Sequence, residues 1–289
     1  MKKQSFIYII LACIFWGTSG VFVHYISPFG ISSFQMTFIR SFVFFLCMGI
    51  YIFIKEKELF KIDFKQAFLY FLSGVSFYLT AGCYFLSMQL TSVSTAVVLM
   101  YTAPIFVMIY SVTFLSEKFT KIKGISLFLM ITGCVLVSGI IGNLKFNLSG
   151  ILIGLSSGIA FSAYNITTKI QMKNKFHPLT ATFYCFLFAT LIGLFSSNPL
   201  GVIPIINKSP YSLSLLCIGM GIVTCVFPYI LYTLGLKETD AGLVSSLGVI
   251  EPMAATLMSI IFLKESLNGY SFLGIILILL AAFLLSRHK

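Results

Sequence analysis

Long apolar stretches divide almost the whole chain, and they limit it to one class of fold. Ten stretches of 19 to 25 residues are separated by short segments that carry Gly, Pro, Asn or Lys. A helix needs about 20 apolar residues to cross the hydrocarbon core of a bilayer. Charged residues make up 9% of the chain, against about 25% in soluble domains, so the sequence predicts an all-α integral membrane protein. The predicted spans are 6–24, 31–54, 66–86, 93–115, 122–141, 149–169, 178–197, 211–235, 241–263 and 268–286.

The basic residues predict how these ten helices are oriented. If both termini are cytoplasmic, fifteen of the nineteen Lys and Arg residues lie in inner segments and three in outer loops, while Arg40 lies inside a span. Cytoplasmic loops of membrane proteins carry such an excess of basic residues. We therefore predict a multi-pass protein of the bacterial inner (plasma) membrane with both termini in the cytoplasm. Because topology explains the net charge of +11, we expect no nucleic-acid partner.

The second half of the chain repeats the first at an offset of 148 residues. Nine residues are identical across 34 ungapped positions. Each repeat would hold five helices, and because five is odd the second copy enters the membrane from the opposite side. We therefore predict two inverted five-helix repeats, over residues 1–143 and 148–289, an arrangement typical of secondary transporters. The residues Tyr84, Leu86, Thr91, Leu99, Pro104, Ser111, Phe114, Leu115 and Glu117 recur as Tyr232, Leu234, Thr239, Leu247, Pro252, Ser259, Phe262, Leu263 and Glu265.

Two charged residues are predicted near the middle of the membrane. Glu251 is the only acidic residue within a predicted span, and at about 1.5 Å per residue it lies roughly 15 Å deep, with Arg40 roughly 13 Å deep. Charges in the hydrocarbon cost at least about 2.5–3.5 kcal/mol each and mark pathways or pairs. Three interpretations remain open. The two residues pair with each other or with backbone groups, or Glu251 binds a substrate ammonium and Arg40 a substrate carboxylate, or Glu251 carries a coupling proton.

Aromatic and polar residues inside the spans are further candidates for a binding cavity. Trp16, the only tryptophan, lies in mid-span, whereas membrane tryptophans favour the interface. A buried Asn needs hydrogen-bond partners, so Asn165 contacts either a ligand or a neighbouring helix. Ordinary helix packing is the alternative for the aromatic residues. The predicted substrate-binding residues are Trp16, Arg40, Tyr78, Tyr101, Tyr164, Asn165 and Glu251.

Prolines inside the spans predict bends. Pro252 removes a backbone donor and clashes with the carbonyl of Gly248, and Pro104 does the same opposite Met100. Pro228 disturbs the eighth span. Freed carbonyls deep in a membrane are tolerated where they line a cavity or are buried in protein. We therefore predict hinges at Pro104, Gly248 and Pro252, with a packing kink as the alternative.

Glycines and acidic residues near the helix ends carry structural expectations. Gly150, Gly154 and Gly158 repeat at intervals of four residues, which predicts a face for close helix packing. Glu117 and Glu265 each follow a predicted span. We expect them to cap the helix that comes next.

The motifs in these spans resemble a known transporter family. They are "FWG" at Phe15–Gly17, "FIR" ending at Arg40, "APIFV" with "FLSEKFT" in the first half, and "VIEPMAA" with "FLKESLN" in the second. Together they are similar to the drug/metabolite transporter superfamily, specifically its EamA-domain members, which carry two such domains in ten helices. The resemblance implies a transporter of small metabolites, often an exporter of amino acids or related compounds. Phe161 stands where this family commonly has a tryptophan.

These observations predict a secondary active transporter that works by alternating access, and they favour export of an amino acid or related compound. Because no G-x-x-x-x-G-K-[ST] motif occurs, energy should come from a gradient or from exchange. An importer or exchanger of a nucleoside or organic cation is the alternative, and a non-transporting membrane structural protein is a different class. One intramembrane acid cannot form an aspartyl dyad, so we expect no enzyme and no catalytic residue. We also expect no cofactor and no metal. The expected partners are a small-molecule substrate and the lipid bilayer, and oligomeric state stays open.

Overall fold

The structure, a computed structural model, describes residues 3–114, 120–137, 146–236 and 250–287. These residues form fourteen α-helices, three short 3-10 helices and one π-helix, and they contain no β-strand. The all-α prediction is therefore confirmed for the described part of the chain. The helices are α1 (Lys3–Gly17), α2 (Ser19–Ile26), α3 (Ser33–Lys55), α4 (Phe64–Leu90), α5 (Val93–Met100), α6 (Ala103–Phe114), α7 (Lys121–Val137), α8 (Leu148–Lys173), α9 (Pro178–Ser196), α10 (Val202–Lys208), α11 (Pro210–Gly221), α12 (Phe227–Leu236), α13 (Ile250–Leu263) and α14 (Gly269–Arg287).

Six helical runs within the described residues are long and apolar enough to cross a membrane. They are Ile7–Phe29, Ser33–Lys55, Phe64–Leu90, Leu148–Met172, Pro178–Ser196 and Pro210–Tyr232. Shorter apolar helices occupy the positions of the other four predicted spans, at Val93–Val107, Gly124–Gly133, Ile250–Leu263 and Phe272–Ala281. The protein is thus a multi-pass helical membrane protein, while the count of ten spans stays a prediction.

The outer surface of the helices is apolar. Phe195 is 85% exposed and Leu215 is 74% exposed, although both lie in helices that fit a membrane span. Large exposed apolar patches mark contact with a partner or a membrane. Lipid therefore replaces water around these side chains, and the polar chemistry of the spans is confined to the interior.

The predicted fourth span is broken in its middle. Helix α5 ends at Met100 and α6 begins at Ala103, with Tyr101 and Thr102 forming a turn between them. Pro104 explains the break, because it donates no backbone N–H and its ring would clash with the Met100 carbonyl of a continuous helix. Irregular backbone at this depth is tolerated where it lines a cavity. The break places Tyr101 between two helices, where its side chain reaches the protein interior.

A second irregularity interrupts the predicted eighth span. Between α11 and α12 the chain forms a π-helix from Ile222 to Val226, a feature frequent at functional sites. Pro228 follows it and has no N–H for the carbonyl of Thr224, four residues earlier. That carbonyl instead accepts a hydrogen bond from Nη2 of Arg40 at 3.2 Å. The disturbance predicted at Pro228 therefore has a specific consequence, which is an acceptor for a buried cation.

The glycine face of α8 packs closely against the first half of the chain. A Cβ atom on Gly154 would lie 2.7 Å from Leu99 Cδ1, and one on Gly158 would lie 3.0 Å from the Leu99 carbonyl oxygen. Gly150 likewise meets the end of α4 at Leu90. The prediction of a close-packed face is confirmed, and it holds α8 against α4 and α5.

The helix pairs follow one pattern around the interior. Helix α4 packs on α8 and α9, α1 packs on α12 and α13, α3 packs on α9 and α11, and α7 packs on α14. Each of these pairs joins a helix before residue 138 to a helix after residue 146. In the described part of the chain, the two halves are therefore packed against each other through several helix pairs.

Candidate functional site

A cavity of about 240 Å³ lies where helices from the two halves meet. Its walls come from α1 to α4, from the end of α5, and from α8, α12 and α13. Aromatic side chains supply half of the sixteen lining residues, and Arg40 and Glu251 are the two charged ones. Such a cavity, mostly apolar with a few converging polar groups, is the usual form of a small-molecule site.

Six of the seven predicted substrate-binding residues line this one cavity, although they lie on four different helices and one turn. They are Trp16, Arg40, Tyr101, Tyr164, Asn165 and Glu251. Their function in binding stays a prediction, but the structure brings them together.

Glu251 lies in the first turn of the described part of α13 and is partly buried. Its Oε2 atom accepts a hydrogen bond of 2.8 Å from the hydroxyl group of Tyr101. Tyr101 reaches it because the break before Pro104 releases this residue from the helix. A carboxylate can accept several hydrogen bonds. A ligand in the cavity can therefore approach Glu251 while Tyr101 remains bound to it.

Arg40 lies in α3 and is only 6% exposed. Its Nε donates to Cys225 Sγ at 3.0 Å and its Nη2 to the Thr224 carbonyl at 3.2 Å. The faces of Phe77 and Phe85 lie 5.7 and 5.3 Å from the guanidinium carbon, within the range of cation–π attraction. The second half thus supplies the polar partners of this cation, and the first half supplies the aromatic ones.

Glu251 and Arg40 do not form an ion pair in the structure. Both residues belong to the described part of the chain, yet no Glu251 oxygen lies within 4.0 Å of an Arg40 nitrogen. The first of the three sequence interpretations, pairing with each other or with backbone groups, therefore holds only for Arg40, which bonds to the backbone carbonyl of Thr224. Each charge has neutral partners, and both line the same cavity.

The aromatic side chains form a nearly continuous wall. Trp16 lies 5.3 Å from the ring of Tyr229 and 5.4 Å from the ring of Tyr232. On helix α8, Phe161 stacks on Tyr164 with ring centroids 6.4 Å apart. These rings offer flat apolar surface and the electron-rich faces that attract cations.

Asn165 and Tyr78 differ in their surroundings from the other predicted substrate-binding residues. Asn165 is exposed and lies on the cavity lining. Tyr78 is buried outside that lining, where its hydroxyl receives a hydrogen bond of 3.0 Å from Ser196 and approaches the Phe34 carbonyl at 3.5 Å. Tyr78 therefore packs between helices in this structure, and its predicted contact with substrate has no support in the geometry.

The predicted hinge residues lie at the ends of helices. Pro104 is in the first turn of α6, and Pro252 is in the first turn of the described part of α13. Gly248 lies outside the described residues. A hinge function at these positions stays a prediction, although the break at Tyr101 is the irregularity that a hinge beside Pro104 requires.

Ten lining residues were missed by sequence reasoning, and the repeat contained a signal for two of them. Four pairs of lining residues are 148 positions apart: Cys13 with Phe161, Trp16 with Tyr164, Ala81 with Tyr229, and Tyr84 with Tyr232. Applying the offset to the predicted candidates adds no lining residue beyond Tyr164, but the tyrosines that recur in the two halves, Tyr84 and Tyr232, were a signal. The missed residues are Cys13, Ser19, Phe77, Thr80, Ala81, Tyr84, Met100, Phe161, Tyr229 and Tyr232.

The charges do not follow this pairing. The position 148 residues after Arg40 is Phe188, and the one 148 residues before Glu251 is Ala103. The wall of the cavity is therefore contributed in similar pieces by the two halves, while each charge comes from one half alone.

Comparison with known proteins identifies the family. The sequence model described as the EamA-like transporter family matches residues 4–139 and again residues 148–287. The chain belongs to the EamA-like transporter family. The resemblance seen in the motifs is thereby confirmed. As an EamA-like transporter the chain is a membrane transporter with a small-molecule substrate, and it is not an enzyme.

Curated relatives of this EamA-like transporter carry the same kind of name. An uncharacterized transporter of Bacillus subtilis, YwfM, is 25% identical over 281 residues, which cover 97% of this chain and 93% of that protein. An uncharacterized transporter of Archaeoglobus fulgidus is 27% identical over 273 residues, with coverage of 92% and 90%. A solved crystal structure matches with a TM-score of 0.62 at 15% identity, covering 98% of this chain and 96% of the other. At that identity the match shows that the fold is shared.

Proposed function

We propose that this EamA-like transporter is a secondary active transporter that exports an amino acid or a related small metabolite. The observation that carries the proposal is the cavity itself, in which one carboxylate and one guanidinium group face a common aromatic-walled space. Neither charge neutralises the other by direct contact. Charged residues inside a membrane typically mark a substrate or ion pathway.

In this proposal Glu251 binds the substrate ammonium group. Tyr101 occupies one oxygen of its carboxylate, and the aromatic rings add cation–π attraction. Arg40 binds the substrate carboxylate. It makes two hydrogen bonds to protein groups, and a guanidinium has five N–H donors, so donors remain for a ligand. Apolar parts of the substrate would contact the rings of Trp16 and Phe161.

Alternating access is supported by helix packing that recurs between the two halves. When each helix is replaced by the one 148 residues away, a packed pair becomes another packed pair. The offset relates α4 to the segment of α11 and α12, and α8 to that of α1 and α2. The pair α4 and α8 is therefore equivalent to the pair α12 and α1, and both pairs pack together. Helices α7 and α14 are each other's equivalents and also pack together. We propose that residues 1–143 and 148–289 are inverted repeats that exchange conformations.

The topology and energy source complete the proposal. The excess of basic residues in predicted inner segments supports cytoplasmic termini in a bacterial inner membrane. A gradient or an exchange of solutes would drive transport, and Glu251 is the residue placed to carry a coupling proton. Transport measured at several pH values in wild type and in Glu251→Gln tests this coupling. If Glu251 carries the coupling proton, transport should depend on pH in the wild type and lose that dependence in the variant.

The test of the proposed function is a ligand screen followed by flux measurements. Purified protein is heated with amino acids, nucleosides and organic cations, and compounds that raise the melting temperature are then assayed for movement across proteoliposomes. We expect an amino acid to raise the melting temperature in wild type and to fail in Glu251→Gln. If no compound stabilises the protein and none crosses proteoliposomes, the chain is a non-transporting membrane protein and the proposal is wrong.

A second candidate substrate, an organic cation, is favoured by the surroundings of Arg40. Its guanidinium is already held by Thr224, Cys225 and two phenylalanine rings, whereas within the described residues Glu251 accepts one hydrogen bond, from Tyr101. Matched ligands separate the two candidates. Phenylalanine and phenethylamine differ only in the carboxylate, so tighter binding of phenylalanine supports an amino-acid transporter and tighter binding of the amine supports a cation transporter.

A further inference from the structure

The start of helix α5 is capped by a residue from the other half of the chain. Glu265 Oε1 accepts a hydrogen bond of 2.8 Å from the Val93 backbone N–H. Its Oε2 accepts one of 3.4 Å from the Ser94 N–H and one of 3.1 Å from the Ser94 hydroxyl. The expectation that Glu265 caps the helix following it in sequence is therefore wrong. The carboxylate is bound instead to a helix about 170 residues earlier.

The backbone between α13 and α14 turns so that the Glu265 carboxylate reaches α5. Lys264 has a backbone φ of 54°, a left-handed conformation that is unusual for a residue other than glycine. It ends α13 and turns the chain, so that the Glu265 N–H returns to the Ser259 carbonyl at 3.2 Å. The Ser259 hydroxyl in turn lies 3.0 Å from that of Ser94. Helix α13 and the residue after its end thus both contact the first turn of α5.

Helix α5 depends on these caps because it is short. It has eight residues, and isolated helices below about 12 residues are marginal. The first N–H groups of a helix lack internal partners and carry a partial positive charge, which a carboxylate stabilises. Ser92 accepts the Thr95 N–H at 3.0 Å, and Glu265 takes the two N–H groups before it. Together the two caps satisfy the first turn.

The other end of α5 reaches the candidate cavity. Met100 ends the helix and Tyr101 follows it, and both line the cavity. The helix spans about 12 Å at 1.5 Å per residue, so its two ends move as one short rigid body. Movement of its first turn would therefore displace the Tyr101 hydroxyl from Glu251.

We propose that Glu265 is a positioning residue, which acts through α5 to hold Tyr101 in its hydrogen bond with Glu251. By the predicted topology Glu265 lies on the outer side of the membrane, and it joins the second half of the chain to the first there. Separation of the halves on that side would break the cap and release Tyr101. The outer contact and the shape of the cavity would then change together. The proposal concerns the cavity of the proposed function, but its test requires no substrate.

The test uses two readouts on purified wild type, Glu265→Gln, Tyr101→Phe and the double variant. Glutamine keeps the size of the side chain but loses its charge and one acceptor oxygen. We expect hydrogen exchange at the amides of Val93 and Ser94 to become at least about tenfold faster in Glu265→Gln. Trp16, the only tryptophan, lines the cavity and reports on it through quenching of its fluorescence by acrylamide. Glu265→Gln should raise that quenching, and so should Tyr101→Phe.

The double variant decides whether Glu265 acts through Tyr101. If it does, Glu265→Gln adds nothing to the Trp16 quenching of Tyr101→Phe, because residues acting through one path are not additive. Additive effects, or unchanged Trp16 quenching despite faster exchange in α5, would reduce Glu265 to a local cap and overturn the proposal. Glu56→Gln, at an exposed position, is the matched control and should change neither readout.

If Glu265→Gln does not fold, Ser94→Ala is a milder variant that tests the same contact between Glu265 and α5. Ser94→Ala deletes one of the three hydrogen bonds to Glu265 and keeps the carboxylate. We expect a smaller rise in Trp16 quenching in the same direction, which again disappears in the Tyr101→Phe background. No change in quenching with this folded variant would also overturn the proposal. Loss of transport alone would bear on the proposed function and not on this one.

Discussion

Arg40 and Glu251 line the same cavity, but their surroundings differ in kind. Arg40 is 6% exposed and is held by the Thr224 carbonyl, the Cys225 thiol and two phenylalanine rings. Glu251 is partly buried, and within the described part of the chain it accepts one hydrogen bond, from Tyr101. One charge has been given partners by the protein, and the other still has room for a ligand.

The difference shows two ways in which a membrane interior accommodates a charge. Arg40 binds a carbonyl that Pro228 has left without its helical donor, so two unfavourable groups satisfy each other. Glu251 gains less from the protein, and an uncompensated charge in a membrane is costly. That cost is acceptable where a ligand or a proton supplies the missing partner. Arg40 therefore has a structural role in addition to the carboxylate contact proposed for it, whereas the role of Glu251 is mainly in binding.

Replacing Glu251 should have the largest effect. Glu251→Gln keeps the shape and one acceptor but removes the charge, so binding of an ammonium ligand should weaken at least about 30-fold. Titration of the amino acid or amine selected in the ligand screen measures this change. Glu58→Gln, on an exposed surface ion pair, is the control. Unchanged affinity in Glu251→Gln would remove Glu251 from the site and reverse the comparison.

Replacing Arg40 by lysine separates structure from binding. Lys keeps the charge but lacks the planar fork that reaches Thr224 and Cys225 together. We expect the free energy of unfolding to fall by about 1–3 kcal/mol, measured by denaturation in detergent, while the folded variant keeps most of its ligand affinity. Lys61→Arg, at an exposed position, tests whether a basic swap alone alters stability. If affinity falls strongly and stability does not, Arg40 acts in substrate binding alone and its structural role is wrong.

Tyr101→Phe sharpens the account of Glu251. It removes the hydroxyl that donates to Oε2 and leaves the ring in the wall of the cavity. A net hydrogen bond is worth about 0.5–1.5 kcal/mol, so ligand affinity should change by about fivefold, measured in the same titration. Tyr232→Phe, on the same cavity, is the matched control. An equal change in both variants would mean that polarity of the wall, and not support of Glu251, determines affinity.

Much of the fold follows from the sequence because bilayer physics is simple. The apolar runs predict the positions of the six spanning helices, and Pro104 explains where α5 and α6 separate. The depth of Arg40 and Glu251 places them at one level of the membrane, and the structure places both on one cavity. In each case a local rule about a helix in lipid was sufficient.

The remaining features depend on contacts between distant segments. Glu265 follows α13 in sequence, and nothing near it indicates that its carboxylate binds Val93. Pro228 predicts a freed carbonyl but not that Arg40 will be its donor. Tyr78 and Tyr84 lie on different faces of α4, because six residues are not a whole number of helical turns. Only Tyr84 lines the cavity, because the packing of α4 on α8 and α9 determines which face points there.

Tyr78→Phe should have the smallest effect, and it tests whether the cavity is correctly bounded. The Tyr78 hydroxyl contacts Ser196 and the Phe34 carbonyl, outside the cavity lining. Its removal should lower stability by about 0.5–1.5 kcal/mol and change ligand affinity by less than about twofold. Tyr84→Phe, on the same helix but inside the cavity, is the comparison variant, and both are measured by denaturation and by ligand titration. A larger loss of affinity in Tyr78→Phe than in Tyr84→Phe would mean that substrate binds on the other face of α4. The cavity lined by Arg40 and Glu251 would then not be the substrate site.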